Sequence, residues 1–220
     1  MISAIACVLE MHNDWYIGMY NDLLFDIRSD KRFFRNYIKD AILICGYNTY
    51  KTLPDYILKS NSIIVITNNH YNDFDGNIDS CINEIKTVAT YDVADVYELS
   101  KDHPNHRFVV IGGGQIYNLF IDFIDIMNVT VVVNQEVYEY KELIISNATR
   151  ICNFHLLKNY IMRHMFMNKM HDIDQKSKSV IQFEIRSYYK VTDPKNPSES
   201  YIDNCGELQK VQDLIDEYVK

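Results

Sequence analysis

Short apolar runs alternate with amphipathic stretches along the first two thirds of the chain. Largely apolar runs of five to eight residues are typical of strands buried on both faces, and they cover residues 2–9, 41–45, 62–67, 107–111 and 127–134. Residues 86–90 form a further short predicted strand. Helical spacing predicts helices at 29–39, from 48 or 49 onward, at 92–101 and at 115–123, with Ser29 and Asp92 as N-terminal caps. This alternation predicts a mainly parallel central sheet flanked by helices.

The last part of the body has a different pattern. Residues 180–185 alternate between apolar and polar side chains, as expected of a strand with one buried face. We expect two antiparallel strands at 161–167 and 179–189, joined by the polar stretch 168–178. The segment 17–27 has no clear period, so the sequence predicts a long loop there.

Two prolines, Pro194 and Pro197, follow the last predicted strand and indicate a linker. We therefore expect one domain at residues 1–190 and an extension at 191–220. The extension ends in a predicted helix at 207–220, whose apolar stripe consists of Leu208, Val211, Ile215 and Tyr218. We expect this helix to fold back onto the body of a monomer, with dimer formation or partner docking through it as the alternative.

Composition narrows the classes of partner. The 220 residues carry a formal net charge of −8, whereas binding to nucleic acid or to anionic lipid would need a basic face. No apolar stretch reaches the roughly 20 residues that span a bilayer, and no basic leader precedes the first run. We expect a cytoplasmic protein, in the host cytoplasm if the chain is phage-encoded. The five cysteines form no C-x-x-C pair, so neither a disulfide framework nor a metal site is expected.

Two features could carry chemistry. A glycine triplet, 112–114, lies between a predicted strand and a predicted helix, where backbone N–H groups can approach a phosphate. It departs from the G-x-G-x-x-G fingerprint at Tyr117, and a simple tight turn is the alternative. Asp30 opens a helix beside Phe33 and Phe34, so its carboxylate could hold a heterocycle with adjacent N–H donors. A structural interaction with the helix dipole is the alternative there.

Seven short segments in order resemble the dihydrofolate reductase family. They are 1–6, 17–21, Asp30 with its two phenylalanines, the strand–Gly–x–x–Thr segment at 44–50, the I-G-G-x-x-[IV]-[YF] signature at 110–117, Thr130, and 183–185. The resemblance implies an eight-stranded, mainly parallel twisted sheet with an antiparallel C-terminal edge, flanked by helices. It also implies a cis peptide bond between Gly112 and Gly113.

The resemblance further implies an oxidoreductase that reduces dihydrofolate with NADPH, or with NADH as the alternative. Asp30 would bind the 2-amino group and N3 of the pterin and promote protonation of N5, and Thr130 would support Asp30. Implied residues for dihydrofolate and antifolate-type ligands are Ile5, Ala6, Cys7, Leu23, Phe34, Leu53, Lys59, Ile111 and Tyr117. Implied cofactor-binding residues are Ala6, Ile17, Gly18, Asn21, Gly46, Tyr47, Asn48, Thr49, Thr67, Asn68, Ile111, Gly112, Gly113, Gly114, Gln115, Ile116 and Tyr117.

Departures from the family pattern fall on charged positions. Tyr47 and Gln115 stand where basic residues usually contact cofactor phosphates, which predicts weaker discrimination between NADPH and NADH. Ser60 stands where an arginine usually clamps the folate carboxylate, and Lys59 beside it is the expected substitute. Two alternatives stay open: a pyrimidine reductase of the riboflavin pathway with the same fold, and a non-catalytic relative that binds a pterin or serves in an assembly.

Overall fold

The computed structural model describes residues 1–11, 14–20, 22–133, 148–153, 160–165 and 170–191. The strands in these ranges are β1 (Ile2–Met11), β2 (Asp14–Met19), β3 (Asp22–Leu23), β4 (Ala41–Gly46), β5 (Ile63–Ile66), β6 (Thr87–Thr90), β7 (Arg107–Gly112), β8 (Ile126–Val132), β9 (Ala148–Asn153), β10 (Tyr160–Met165), β11 (Met170–Ile173) and β12 (Val180–Lys190). The α-helices are α1 (Arg28–Tyr37), α2 (Tyr47–Thr52), α3 (Asp55–Ser60), α4 (Ser80–Asn83), α5 (Val93–Asp102) and α6 (Gly114–Phe120).

The chain divides into two compact units. Unit 1 consists of Met1–Ile5 and Ile38–Ile126, and unit 2 consists of Ala6–Tyr37 and Met127–Lys220. Strand β1 therefore supplies residues to both units.

Unit 1 is built on a parallel sheet. Its hydrogen-bonded strand order is β1-β7-β4-β5-β6, and each neighbouring pair is parallel. Continuous apolar runs suit this arrangement because a strand covered on both faces needs no polar side, and all four residues of β5 are buried. Helix α6 packs against β7 and β4. Helix α5 begins after its predicted cap, Asp92, whose carboxylate accepts a hydrogen bond from the Ala94 N–H at 2.8 Å.

Unit 2 carries the antiparallel edge. Its strand order is β10-β12-β8-β1, and β12 is antiparallel to both β10 and β11. Helix α1 buries Phe33 and Tyr37, whose rings stack with centroids 6.0 Å apart. The strand orders of the two units share β1, and together they contain eight strands. The predicted fold class, a mainly parallel sheet with an antiparallel C-terminal edge and flanking helices, is confirmed.

The prediction of a long loop at 17–27 is wrong. Strands β2 and β3 lie there and pair with each other, with Gly18 opposite Leu23. Strand β2 also pairs with β1 and β9, so partners distant in sequence hold a segment that lacks a strand period of its own. The polar stretch between the last two predicted strands likewise contains β11, which pairs with β12.

Ser29 is not the N-terminal cap of the first helix, because α1 already begins at Arg28. The sequence pattern predicts neither helix α3 nor strand β9. The predicted C-terminal helix at 207–220 lies outside the described residues, and the domain boundary at 190 stays a prediction. Within the described part of the chain, no helix has the length and apolar character needed to cross a membrane.

Candidate active site

Asp30 lies in the first turn of α1, in unit 2. The residue keeps part of its surface exposed, but its carboxyl is surrounded by protein atoms. Desolvation raises the pKa of this carboxyl to about 6, against opposing effects from the Thr130 hydroxyl and the Lys31 ammonium. Lys31 itself pairs with Asp26 at 2.7 Å, so its charge is shared. A carboxyl group with a pKa this close to neutrality can exchange a proton at working pH.

Thr130, on β8, places its side chain toward the Asp30 carboxyl. Its hydroxyl is near enough to lower the pKa of Asp30. The same hydroxyl oxygen is buried. Among the described residues, no group forms a hydrogen bond of regular geometry with it. A buried hydroxyl without a full partner is costly, so a ligand or water that completes the pair would be stabilised. The structure thus brings together the two residues predicted to be catalytic.

Cys7, on β1, shares this environment. Burial raises the pKa of its thiol well above the ordinary value, and the negative charges of Asp30 and Asp174 act in the same direction. The thiol therefore stays protonated and acts as an apolar wall and not as a nucleophile. Phe34, one turn after Asp30, is half-buried, whereas Phe33 is fully buried in the core. The half-buried ring of Phe34 remains available to a ligand beside Asp30.

Two aspartates from the β11 end fix the start of α1, and sequence reasoning missed both. Asp172 accepts hydrogen bonds from the Ser29 N–H at 2.8 Å and from the Ser29 hydroxyl at 2.5 Å. Asp174 is buried and accepts a hydrogen bond from the Asp26 N–H at 2.7 Å. Asp172 therefore caps the N-terminus of α1, a role that is usually filled by a residue at the start of the helix itself. These contacts join residues that are far apart in the sequence, so no local motif could have predicted them.

The glycine triplet lies in unit 1, between β7 and α6. Gly112 has φ +129°, a conformation that favours glycine, and the Gly112–Gly113 bond is cis, as the resemblance implies. A Cβ added at Gly113 would lie 3.3 Å from the Thr49 hydroxyl oxygen. The Tyr117 hydroxyl donates a 2.7 Å hydrogen bond to the Ile5 carbonyl oxygen, which ties α6 to β1. The turn therefore places backbone groups without side chains beside the Thr49 hydroxyl.

These contacts test whether unit 1 fits a dinucleotide cofactor. A Cβ at Gly46 would lie 3.1 Å from the Ile116 side chain of α6, so a larger residue at the end of β4 would have to displace that side chain by a few tenths of an ångström. Thr49 and Thr67 are both partly exposed near these strand ends. Ligands of open α/β sheets bind beyond the carboxyl ends of the parallel strands, where these residues lie. The residues of unit 1 fit a phosphate-bearing dinucleotide.

An aromatic group that sequence reasoning missed lies at the ends of β4 and β5. The Tyr47 ring stacks on the His70 imidazole with centroids 3.7 Å apart and planes 7° apart. Phe74 meets Tyr47 edge-on at 6.3 Å. Asp73 lies 3.0 Å from His70 Nδ1 and accepts a hydrogen bond from the Tyr47 hydroxyl at 3.4 Å. We call these four residues the Tyr47 cluster.

The remaining predicted site residues differ in exposure. Leu23, on β3, is 53% exposed. Lys59 is exposed and lies 3.9 Å from the Asp55 carboxylate, which competes for its charge. The residues that are buried are Ile5, Ala6, Ile111, Gly112, Gly114, Ile116 and Tyr117. Those that are half-buried are Ile17, Gly18, Gly46 and Leu53, and those that are exposed are Asn48, Asn68 and Gln115. Asn21 lies outside the described residues.

Comparisons with known proteins show which proteins this chain resembles. Among curated proteins, segregation and condensation protein A of Mycoplasma pneumoniae is 27% identical over 131 residues, which cover 60% of this chain and 23% of that protein. The chain thus spans about a quarter of the length of this curated relative. Among solved structures, dihydrofolate reductase from Enterococcus faecalis, complexed with NADP(H) and RAB-propyl, is 16% identical with a TM-score of 0.60. That alignment covers 88% of this chain and 97% of the other, and it shows the shared fold. The sequence model of dihydrofolate reductase matches residues 1–140, well over half of the chain, and the protein therefore belongs to the dihydrofolate reductase family.

Proposed function

We propose that the protein reduces 7,8-dihydrofolate to 5,6,7,8-tetrahydrofolate with a reduced nicotinamide dinucleotide, for which the family resemblance implies NADPH. The observation that carries the proposal is the Asp30 carboxyl, whose pKa is raised to about 6 beside the buried Thr130 hydroxyl. In a member of this reductase family, that pair suits a pterin that offers adjacent N–H donors.

Asp30 has two roles in this proposal. At pH 7, a carboxyl group with a pKa of about 6 is ionised about nine times in ten. The ionised form accepts hydrogen bonds from the 2-amino group and N3 of the pterin, and desolvation strengthens these charge-assisted bonds. The remaining protonated fraction is a proton source, and a proton delivered through water to N5 completes the reduction. A pKa near the working pH serves both roles, since neither form is rare.

Thr130 orients the Asp30 carboxyl. Its hydroxyl can donate to the carboxylate while its lone pairs accept from a ligand amino group or from water. The absence of a full partner for this hydroxyl within the described residues supports that role, because a bound pterin or water would satisfy it. Thr130 acts through Asp30 and is a positioning residue.

The residues of unit 1 would hold the cofactor. The backbone of Gly112 and Gly113 allows close approach, Thr49 offers a hydroxyl beside it, and Thr67 offers another at the end of β5. When bound, the cofactor supplies a hydride to C6 of the pterin, and the proton at N5 balances the reduction. The chain's contribution is to bind and orient each ligand through its own side chains and backbone.

The test follows absorbance at 340 nm with dihydrofolate and with either NADPH or NADH. We expect turnover by the wild-type protein and a loss of about 100-fold or more in kcat for Asp30→Asn, because an amide cannot deliver a proton. Asp40→Asn is the matched control, since Asp40 is exposed and its φ of +58° is one that asparagine tolerates. Pterin binding without turnover would favour the non-catalytic relative. Turnover of a pyrimidine substrate in place of dihydrofolate would favour the riboflavin-pathway reductase.

A further inference from the structure

The Tyr47 cluster is a partly exposed aromatic stack with a carboxylate at its edge. Tyr47 follows Gly46, the last residue of β4, and His70 donates its backbone N–H to the Thr67 hydroxyl at 3.3 Å, just after β5. Strands β7, β4 and β5 are neighbours in that order, so the ends of β4 and β5 lie one and two strand spacings, about 5 and 10 Å, from the end of β7, where the glycine turn begins. A dinucleotide anchored at that turn is long enough to place its adenosine half at the cluster.

The flat rings of the cluster suit a nucleobase. Tyr47 and His70 stack within 7° of parallel, and Phe74 supports Tyr47 from the side. Stacked aromatic planes bind bases through their π faces with little dependence on the base. The shape of the cluster therefore suits the adenine base of a dinucleotide as well as any other base. Selectivity has to come from the charges around the stack, which act on the groups attached to the ribose.

The charge at the edge of the stack comes from Asp73. The Tyr47 hydroxyl and His70 Nδ1 both face its carboxylate, so these two donors are directed away from a ligand phosphate. Lys51 is the cation nearest to the cluster in the described contacts, and its ammonium lies 4.8 Å from the Tyr47 ring centroid. A carboxylate accepts hydrogen bonds from a free ribose diol, as acidic residues do in NAD-binding sheets. The same carboxylate repels a 2′-phosphate, which needs charge-assisted donors.

We propose that Asp73 is a specificity-determining residue that selects NADH over NADPH by accepting a hydrogen bond from an unphosphorylated adenosine ribose. The inference rests on the proposed function in one respect, namely that the ligand is a nicotinamide dinucleotide. It narrows the cofactor choice, for which the family resemblance implies NADPH.

The experiment compares NADH with NADPH in two assays on the full chain. Calorimetric titration gives the dissociation constants without any need for turnover, and the 340 nm assay with dihydrofolate gives kcat/KM. We expect the wild-type protein to favour NADH in both. Asp73→Asn keeps the size and a hydrogen-bonding group but removes the charge, so the NADH-to-NADPH ratio should fall roughly tenfold. Because Asp73 is about half exposed, the preference should also weaken as salt is added.

Asp75→Asn is the matched control, because Asp75 is exposed in the same loop and should leave the ratio unchanged. A wild-type preference for NADPH overturns the inference, and so does an NADH-to-NADPH ratio that is unchanged in Asp73→Asn. In either case, turnover of dihydrofolate would still support the proposed function. Preferential binding of NADH without turnover of dihydrofolate supports the inference and contradicts the proposed function. Binding of neither dinucleotide contradicts both.

Discussion

Replacing Asp30 with asparagine should stabilise the protein at neutral pH and above, although the same change should lower kcat about 100-fold or more. Folding raises the pKa of this carboxyl from the ordinary value of 3.8 to about 6. The folded state therefore binds the proton more tightly than the unfolded state does. The stability that this preference supplies is complete below pH 3.8 and is lost as the pH rises through about 6. Above that window, the buried charge opposes folding.

The pKa difference sets the size of the effect. At 1.36 kcal/mol per pKa unit, a difference of about two units corresponds to an upper limit of about 3 kcal/mol. The asparagine side chain is an uncharged amide, so the variant avoids that cost. The amide still has to be desolvated, which offsets part of the gain, and we expect a net stabilisation of about 1 to 2 kcal/mol near pH 8.

Urea unfolding of wild type and Asp30→Asn at about pH 4.5 and about pH 8 measures this difference. The free energy of unfolding should differ little between the proteins at the acid end and should favour the variant at the alkaline end. Asp40→Asn, an exposed change of the same kind, should show no such pH dependence. A stability difference that is the same at both pH values would refute the assignment of a raised pKa to Asp30.

Two further predictions concern the neighbours of Asp30. Because the Thr130 hydroxyl lowers the pKa of Asp30, Thr130→Val should shift the limb of the pH–rate profile that reports Asp30 to higher pH. Thr130→Ser should leave that limb in place, and a valine variant with an unmoved profile would exclude the interaction. Asp172→Ala should lower the free energy of unfolding by about 1 to 2 kcal/mol, since Ser29 loses its acceptor for both the N–H and the hydroxyl. Ser29→Ala should then cost less in that background than in the wild type.

The sequence was sufficient for the parallel half of the sheet. Runs such as 41–45 and 63–66 are apolar throughout, and such a strand is stable only with both faces covered, which requires helices on the sheet. The cap of α5 was equally readable, because Asp92 bonds a backbone N–H only two residues away. Asp30, Thr130 and the glycine triplet could be proposed as site residues because they belong to short motifs in a fixed order.

Tertiary structure decided what depends on contacts between distant residues. Strand β2 pairs with β1 and β9, and α1 is capped by Asp172 and not by its own Ser29. The raised pKa of Asp30 follows from desolvation, which exists only once the chain has folded around the carboxyl. The Tyr47 cluster forms because β4 and β5 end side by side. Local sequence patterns determine the propensity of a segment to form a helix or a strand. Strand partners, side-chain burial and pKa shifts depend on contacts that exist only in the folded chain.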